Sequence, residues 1–126
     1  MTERIEKAFE AMEWHDAVLL SLNLDRRAPG KRDEVALIVE WPDGRKQRVC
    51  FTDCYALEAQ MNFGVIAPES IRAAHCIADS PKLAEIRRRW AVLGVALESL
   101  RCFEFSTNST ASRICIYAKR YEVSDP

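Results

Sequence analysis

Seven side chains suit nucleophilic, acid–base or metal chemistry best: His15, His75, Cys50, Cys54, Cys76, Cys102 and Cys115. Trp14-His15-Asp16 is the most suggestive string, because a histidine beside an acid can act as a general base with an orienting carboxylate. Neighbours in an extended chain point to opposite faces, however, so adjacency alone makes no dyad. The competing reading has Asp16 satisfying backbone donors at a turn and His15 packing its edge. A histidine–aspartate metal phosphohydrolase would need further ligands on helices, and the chain has only two histidines. Cys50, Cys54, His75 and Cys76 contain the atoms of a tetrahedral zinc set. Yet no C-x-x-C pair exists, and a spacing of four along a strand spans ~13 Å. No metal or cofactor is therefore expected. A nucleophilic thiolate, Cys54 or Cys76 with His75, needs an electropositive and partly exposed setting. Cys50, Cys102 and Cys115 read as half-buried strand residues. The four glycines are scattered and form no phosphate-cradling loop.

Other candidates are weaker still. Arg87-Arg88-Arg89 before Trp90 suggests a phosphate or RNA contact, but Trp90 falls on an apolar stripe and the arginines read as a solvated helix face. Asn62-Phe63-Gly64 and the polar run from Ser106 to Thr110, centred on Asn108, are turn-like. Gly64 can take a backbone conformation closed to other residues.

The elements that must position these residues follow from periodicity. The chain has 126 residues, 48% hydrophobic and 29% charged, which fits one globular domain with its own core. Its net charge of −1 argues against nucleic acid as the main partner. No apolar run is long enough to span a bilayer. The charged segment from Met1 to Glu10 lacks the apolar centre of a secretory signal, so the cytoplasm is the expected location. Five cysteines without a leader read as free thiols.

Ile5, Ala8, Phe9 and Met12 recur at helical spacing and predict a helix over 2–12, with Thr2 as its cap. From residue 16 the period becomes two. Val18, Leu20, Leu22 and Leu24 alternate with Leu19, Ser21, Asn23 and Asp25. The stretch 26–33 reads as a solvated loop. Val35, Leu37, Val39 and Trp41 then share one face of a strand over 34–41. Pro42-Asp43-Gly44 marks a turn, and Val49 and Phe51 lie on the strand that returns over 45–53. The segment 54–65 is ambiguous between strand and helix; its long alternation favours a strand. Pro68 opens an expected helix over 68–78, with Ile71, Ala74 and Ile77 or Ala78 inward. Ser80-Pro81 caps another over 81–93, with Leu83, Ile86, Trp90 and Leu93 inward and Gly94 as its stop. Strands over 96–106 and 113–123 end the chain, the first with a bulge at Cys102-Phe103.

The predicted fold class is thus α+β: a curved antiparallel sheet of about six strands, an N-terminal helix, and two helices inserted before the last two strands (α-β-β-β-β-α-α-β-β). Trp14-His15-Asp16-Ala17, placed before the first strand, resembles the start of small bacterial proteins of uncharacterised function, including immunity-protein-like families of polymorphic toxin systems. That resemblance implies a non-catalytic binder of a cognate toxin and carries over no catalytic residue. The chain departs from the strong acidity expected of nuclease inhibitors, which argues against a nuclease partner.

The expected function is a non-catalytic cytoplasmic protein-binding module. Its partner would be another protein or, through Tyr117 and Tyr121 of an edge-lying last strand, a second copy. The alternative is a small enzyme or ligand binder with a cleft beside His15. Candidate binding residues across these readings are Trp14, His15, Asp16, Cys54, Asn62 and Asn108.

Overall fold

The computed structural model describes residues 2–126, with side chains from residue 4 onward. The chain runs α1 (Thr2–Glu10), β1 (Val18–Ala28), β2 (Arg32–Glu40), β3 (Lys46–Gln60), β4 (Ile71–Ile77), α2 (Pro81–Ala91), β5 (Arg101–Thr107) and β6 (Arg113–Ser124). All six strands form one antiparallel sheet in the order β1-β2-β3-β6-β5-β4. The segment after β3 crosses to the far edge, where β4 begins. There the two edges of the open sheet touch: Val18 bridges Ser70, and backbone hydrogen bonds join Leu19 to Glu69 and Ala17 to Ile71.

The curl encloses an aromatic core. Val35, Leu37 and Val39 of β2, Val49 and Phe51 of β3, Phe103 and Phe105 of β5, and Ile114 and Ile116 of β6 supply it at alternating positions. Phe9 of α1 sits at its centre, with ring centroids 5.0 Å from Trp14 and Phe103 and 5.3 Å from Tyr121. Such tilted and edge-on pairs contribute ~0.5–1.5 kcal/mol each beyond their buried area. On the other face α2 lays Leu83 and Ile86 over Leu97, Leu100, Cys102, Cys115 and Tyr117. Ser80 caps α2, its hydroxyl accepting from the Leu83 amide, and Pro81 opens the first turn. Gly94, at φ +81°, follows shortly after its end. The Trp41–Lys46 hairpin is as the turn signal predicts, with Trp41 and Arg45 joined by a backbone hydrogen bond and Glu40 opposite Lys46.

Several expectations are corrected. The segment expected as a helix over 68–78 holds β4, so the described residues form two helices and not three. Its inward residues are Ile71, Ala74 and Cys76; a register shift between Ile71 and Ala73 spaces the first two three apart, which imitates a helical stripe. The strand over 45–53 and the ambiguous segment after it form one strand, β3, which ends at Gln60. Asp53 takes φ +54° and the register with β6 shifts between Cys54 and Ala56, so Leu57 and Met61 face the aromatic core while Tyr55 and Ala56 face α2. In β1 a shift between Leu19 and Ser21 turns Leu19 and Leu22 to the core and leaves Leu20 and Leu24 exposed. The expected loop over 26–33 shrinks to a turn around Pro29 and Gly30. The register of β5 with β6 runs unbroken through Cys102 and Phe103, so the expected bulge is absent there. The helix α2 stops at Ala91, which leaves Leu93 70% exposed. The last strand lies between β3 and β5, not at an edge; Tyr117 is buried, and Tyr121 packs on the core. The expected capping by Thr2 rests on a side chain outside those described.

Candidate functional site

The turn from Trp14 to Ala17 is built by its own residues. Trp14 is 3% exposed and donates its indole N–H to the Phe9 carbonyl at 2.7 Å, which closes the end of α1. Ala17 is fully buried. Asp16 takes φ +69°, a conformation aspartate tolerates better than most residues, and its amide donates to the Ile71 carbonyl. His15 points outward, its side chain 74% exposed. Its ring makes two contacts, Nδ1 at 3.1 Å from the Arg72 carbonyl and Nε2 at 3.6 Å from Asp16. Trp14 and Ala17 thus anchor the core, and Asp16 shapes the turn that carries β1 towards Ile71.

The edge strand β4 is closed by side chains. His15 meets the Arg72 carbonyl, and Glu10 of α1 accepts the Cys76 amide at 2.9 Å. Both contacts occupy backbone groups that an unpaired edge would offer to another chain. At the other edge, β1 is tied to the 69–71 stretch only over its first residues.

Asn62 and Asn108 do converge, as parts of one polar clamp. The Asn62 amide donates to Ser112 Oγ at 2.9 Å, and its side-chain amide donates to the carbonyls of Thr110 and Ala111. Asn108 donates from its backbone to the Ser70 carbonyl and from Nδ2 to Ser70 Oγ. Ser109 donates to the Pro68 carbonyl at 2.6 Å, and Thr110 donates to Glu69 Oε2 at 2.5 Å. The only hydroxyl proton of Thr110 is committed to that carboxylate. Ser112, whose oxygen lies 2.6 Å from Thr110 Oγ1, must therefore be the donor between them. A relay runs from the Asn62 amide through Ser112 and Thr110 to Glu69.

Between β1 and the stretch 61–67 that precedes the clamped residues lies a groove of about 420 Å³. Leu19, Leu20, Ser21 and Leu22 form one wall, Met61 to Val65 and Ala67 the other, with Glu69 and Thr110 also lining it. The groove begins where the backbone bonds between β1 and Glu69 end. Its apolar lining is partly open to solvent: Phe63 is 86% exposed and Leu20 and Val65 about half, and Ile66, next in the chain but outside the lining, is fully exposed. Gly64, at φ +98°, makes the bend that presents Phe63 and Val65.

A second cleft, of about 670 Å³, lies where β2 and β3 part beyond the Val35–Phe51 pair. Leu24, Arg26, Asp33, Asp53, Cys54 and Trp90 are among its lining residues. Of its charged lining residues, Arg26 pairs with Asp33, and Asp53 pairs with Arg120 outside the lining. Cys54 donates to the Phe51 carbonyl, and burial pushes its thiol up to about 12. Burial likewise pushes the Cys76 thiol up to about 12. Cys102 is held above the ordinary thiol range by its hydrogen bond with Cys115 and by burial. All five cysteines are free, and none of these three offers a ready thiolate.

Of the six candidate residues, Asn62 alone lines the first groove and Cys54 the second. Trp14 is core, Asn108 clamps, and His15 lines neither groove nor the third cleft beside α2. Leu20, Ile66 and Glu69 stand in none of the sequence candidates, and Phe63 only in the turn-like Asn62-Phe63-Gly64. Phe63 sits in an apolar alternation that reads as a buried strand face, and Glu69 stands in no motif at all. Compared with known proteins, the chain matches no family model and no curated protein sequence.

Proposed function

We propose that this chain is a non-catalytic protein-binding module, acting in the cytoplasm in the manner of an immunity protein, and that the groove between β1 and residues 61–69 is its binding face. The observation that carries the reading is the exposed apolar lining, Leu20, Phe63 and Val65, with the exposed Ile66 next to it in the chain, set beside an edge strand that is paired on one side only over most of its length. Single exposed apolar residues are ordinary, but a contiguous group beside a groove marks a surface that another molecule covers. Burying Phe63 and Ile66 would contribute ~1.5–3 kcal/mol each to association. The opposite edge, closed by His15 and Glu10, does not compete for a partner strand. Another protein is the occupant proposed, with a second copy of the chain as the alternative.

The test compares tagged wild-type protein with the Phe63→Ser/Ile66→Ser double variant, both purified from the source cells. Wild type retains a defined protein partner, and the variant loses it by tenfold or more, about 1.4 kcal/mol, while melting at the same temperature because both side chains are exposed. Equal recovery by both forms, or no partner with wild type, overturns the proposal. Light scattering of the two forms separates a second copy from a different protein.

A further inference from the structure

The ladders beside β1 fix which of its backbone groups lie on the free edge. Trp41 donates its amide to the Arg45 carbonyl, and the register of β2 with β3 runs unbroken from Glu40 to Val35. Backbone groups alternate in direction along a strand. Val39, Leu37 and Val35 therefore turn theirs to β3, and Ile38, Ala36 and Glu34 turn theirs to β1. The β1 partners of these three, Ser21, Asn23 and Asp25, bond β2. Leu22 and Leu24 lie between them and turn their amides and carbonyls away from β2. Leu19, whose amide donates outward to Glu69, keeps the same phase once the register shift before Ser21 is counted. Beyond Leu19 no described residue pairs with β1 on that side. Leu22 lines the groove and Leu24 the second cleft, so the two unpaired positions link both. Their side chains share the concave face, where Leu22 packs on the core and Leu24, opposite Val35, is 53% exposed. Ser21 and Asn23 are exposed.

We infer that the partner enters the groove as an extended segment and adds to β1 as a seventh strand, exchanging backbone hydrogen bonds with Leu22 and Leu24. This rests on the reading of the groove as the binding face. An unpaired strand edge takes another chain through main-chain bonds, and the surroundings of alternate side chains decide which segment fits. Residues of the segment opposite Leu22 and Leu24 place apolar side chains on the concave side, where they cover Leu24. The residues between them place short polar side chains beside Ser21 and Asn23. No Lys, Arg or His lines the groove, and its one acid, Glu69, already accepts from Thr110, so an uncharged segment suits it.

The probe is a capped five-residue peptide of alternating threonine and valine, with valine second and fourth. Paired with Leu22 and Leu24, its valine nitrogens face β1 and its central threonine nitrogen faces away. Binding is followed by the backbone amide shifts of Leu22 and Leu24, with Asn23, already bonded to β2, as the internal control. Methylating both valine nitrogens removes two hydrogen bonds and should weaken binding about tenfold or more. Methylating the central threonine nitrogen should change it by less than about threefold. Equal effects of the two methylations, or unmoved Leu22 and Leu24 amides at millimolar peptide, overturn the inference. A free chain at twice its monomer mass, with those two amides already protected from exchange, gives the edge to a second copy and overturns it as well. If Phe63→Ser/Ile66→Ser loses the cellular partner while the peptide leaves Leu22 and Leu24 unmoved, the binding face stands and strand addition falls.

Discussion

At the scale of residues, adjacency in sequence proved a poor guide to joint action. Trp14, His15 and Asp16 stand side by side, but one is core, one is solvated and one sets a turn. Their chemistry is mostly architectural. Replacing Trp14 with Ala removes the indole from the Phe9, Trp41 and Phe105 cluster and leaves the Phe9 carbonyl at the end of α1 with only the longer bond from the Met12 amide. The expected cost is ~3–5 kcal/mol, as for other fully packed tryptophans. His15→Ala forfeits one exposed hydrogen bond and should cost no more than ~1 kcal/mol. Urea melts of the two variants check the pair. A loss at His15 comparable to that at Trp14 would show that closing the β4 edge carries more stability than its exposure implies. Asn62 and Asn108 were legible as turn residues, since short polar side chains bond local backbone. That they grip one segment from two sides was not legible, because the partners lie about forty to fifty residues away in sequence.

At the scale of elements, legibility followed regularity. The β2–β3 hairpin could be read because Val35, Leu37 and Val39 keep strict alternation up to a Pro-Asp-Gly turn. The N-terminal helix and the start of α2 could be read from their stripes and from Ser80-Pro81. Errors fell where a bulge changes the phase. Ile71 and Ala74 in β4, and Phe51, Cys54 and Leu57 in β3, recur every three residues on one face because the register slips once in each strand and, in β3, the positive φ of Asp53 changes the phase once more. A bulged strand therefore writes a helix-like period. In the arginine triplet the solvated-face reading holds for Arg88 and Arg89 and fails for Arg87, since like residues conceal different environments. Arg87 donates to the carbonyls of Ala78, Leu97 and Leu100 and so ties α2 to both flanking loops, whereas Arg88 is exposed. Arg87→Ala removes these three bonds from a charged donor, although the Leu97 and Leu100 carbonyls still accept from the Leu100 amide and from Arg101, and should cost ~1.5–3 kcal/mol, in the range for hydrogen bonds to charged groups. Arg88→Ala should stay within ~0.5 kcal/mol. Chemical denaturation separates the two, and equal costs would mean that the triplet acts as a uniform surface.

At the scale of the molecule, the sheet order could not be read locally. Nothing in residues 61–70 says that the chain crosses to the far edge, and this crossing is what puts β6 inside the sheet and touches β4 to β1. The same topology distributes the thiols through the interior, Cys54 beside the bend in β3 and Cys76 on the inner face of β4. Both are raised by burial from 9.0 to about 12. The unfolded chain releases these protons as pH rises through 9, while the folded chain keeps them until about 12. The native state then binds more protons than the unfolded state, so stability falls with increasing pH across that window. Below pH 9 both states hold the protons, and the two groups add no pH dependence. Tyrosines and lysines titrate in the same range, so the measurement is a difference. Urea midpoints from pH 8 to 11 should fall less steeply for Cys54→Ala/Cys76→Ala than for wild type, even though the double variant begins less stable. Parallel slopes would mean that both thiols ionise in the folded protein as freely as in the unfolded one, and that the interior around the bend and the β4 face admits water.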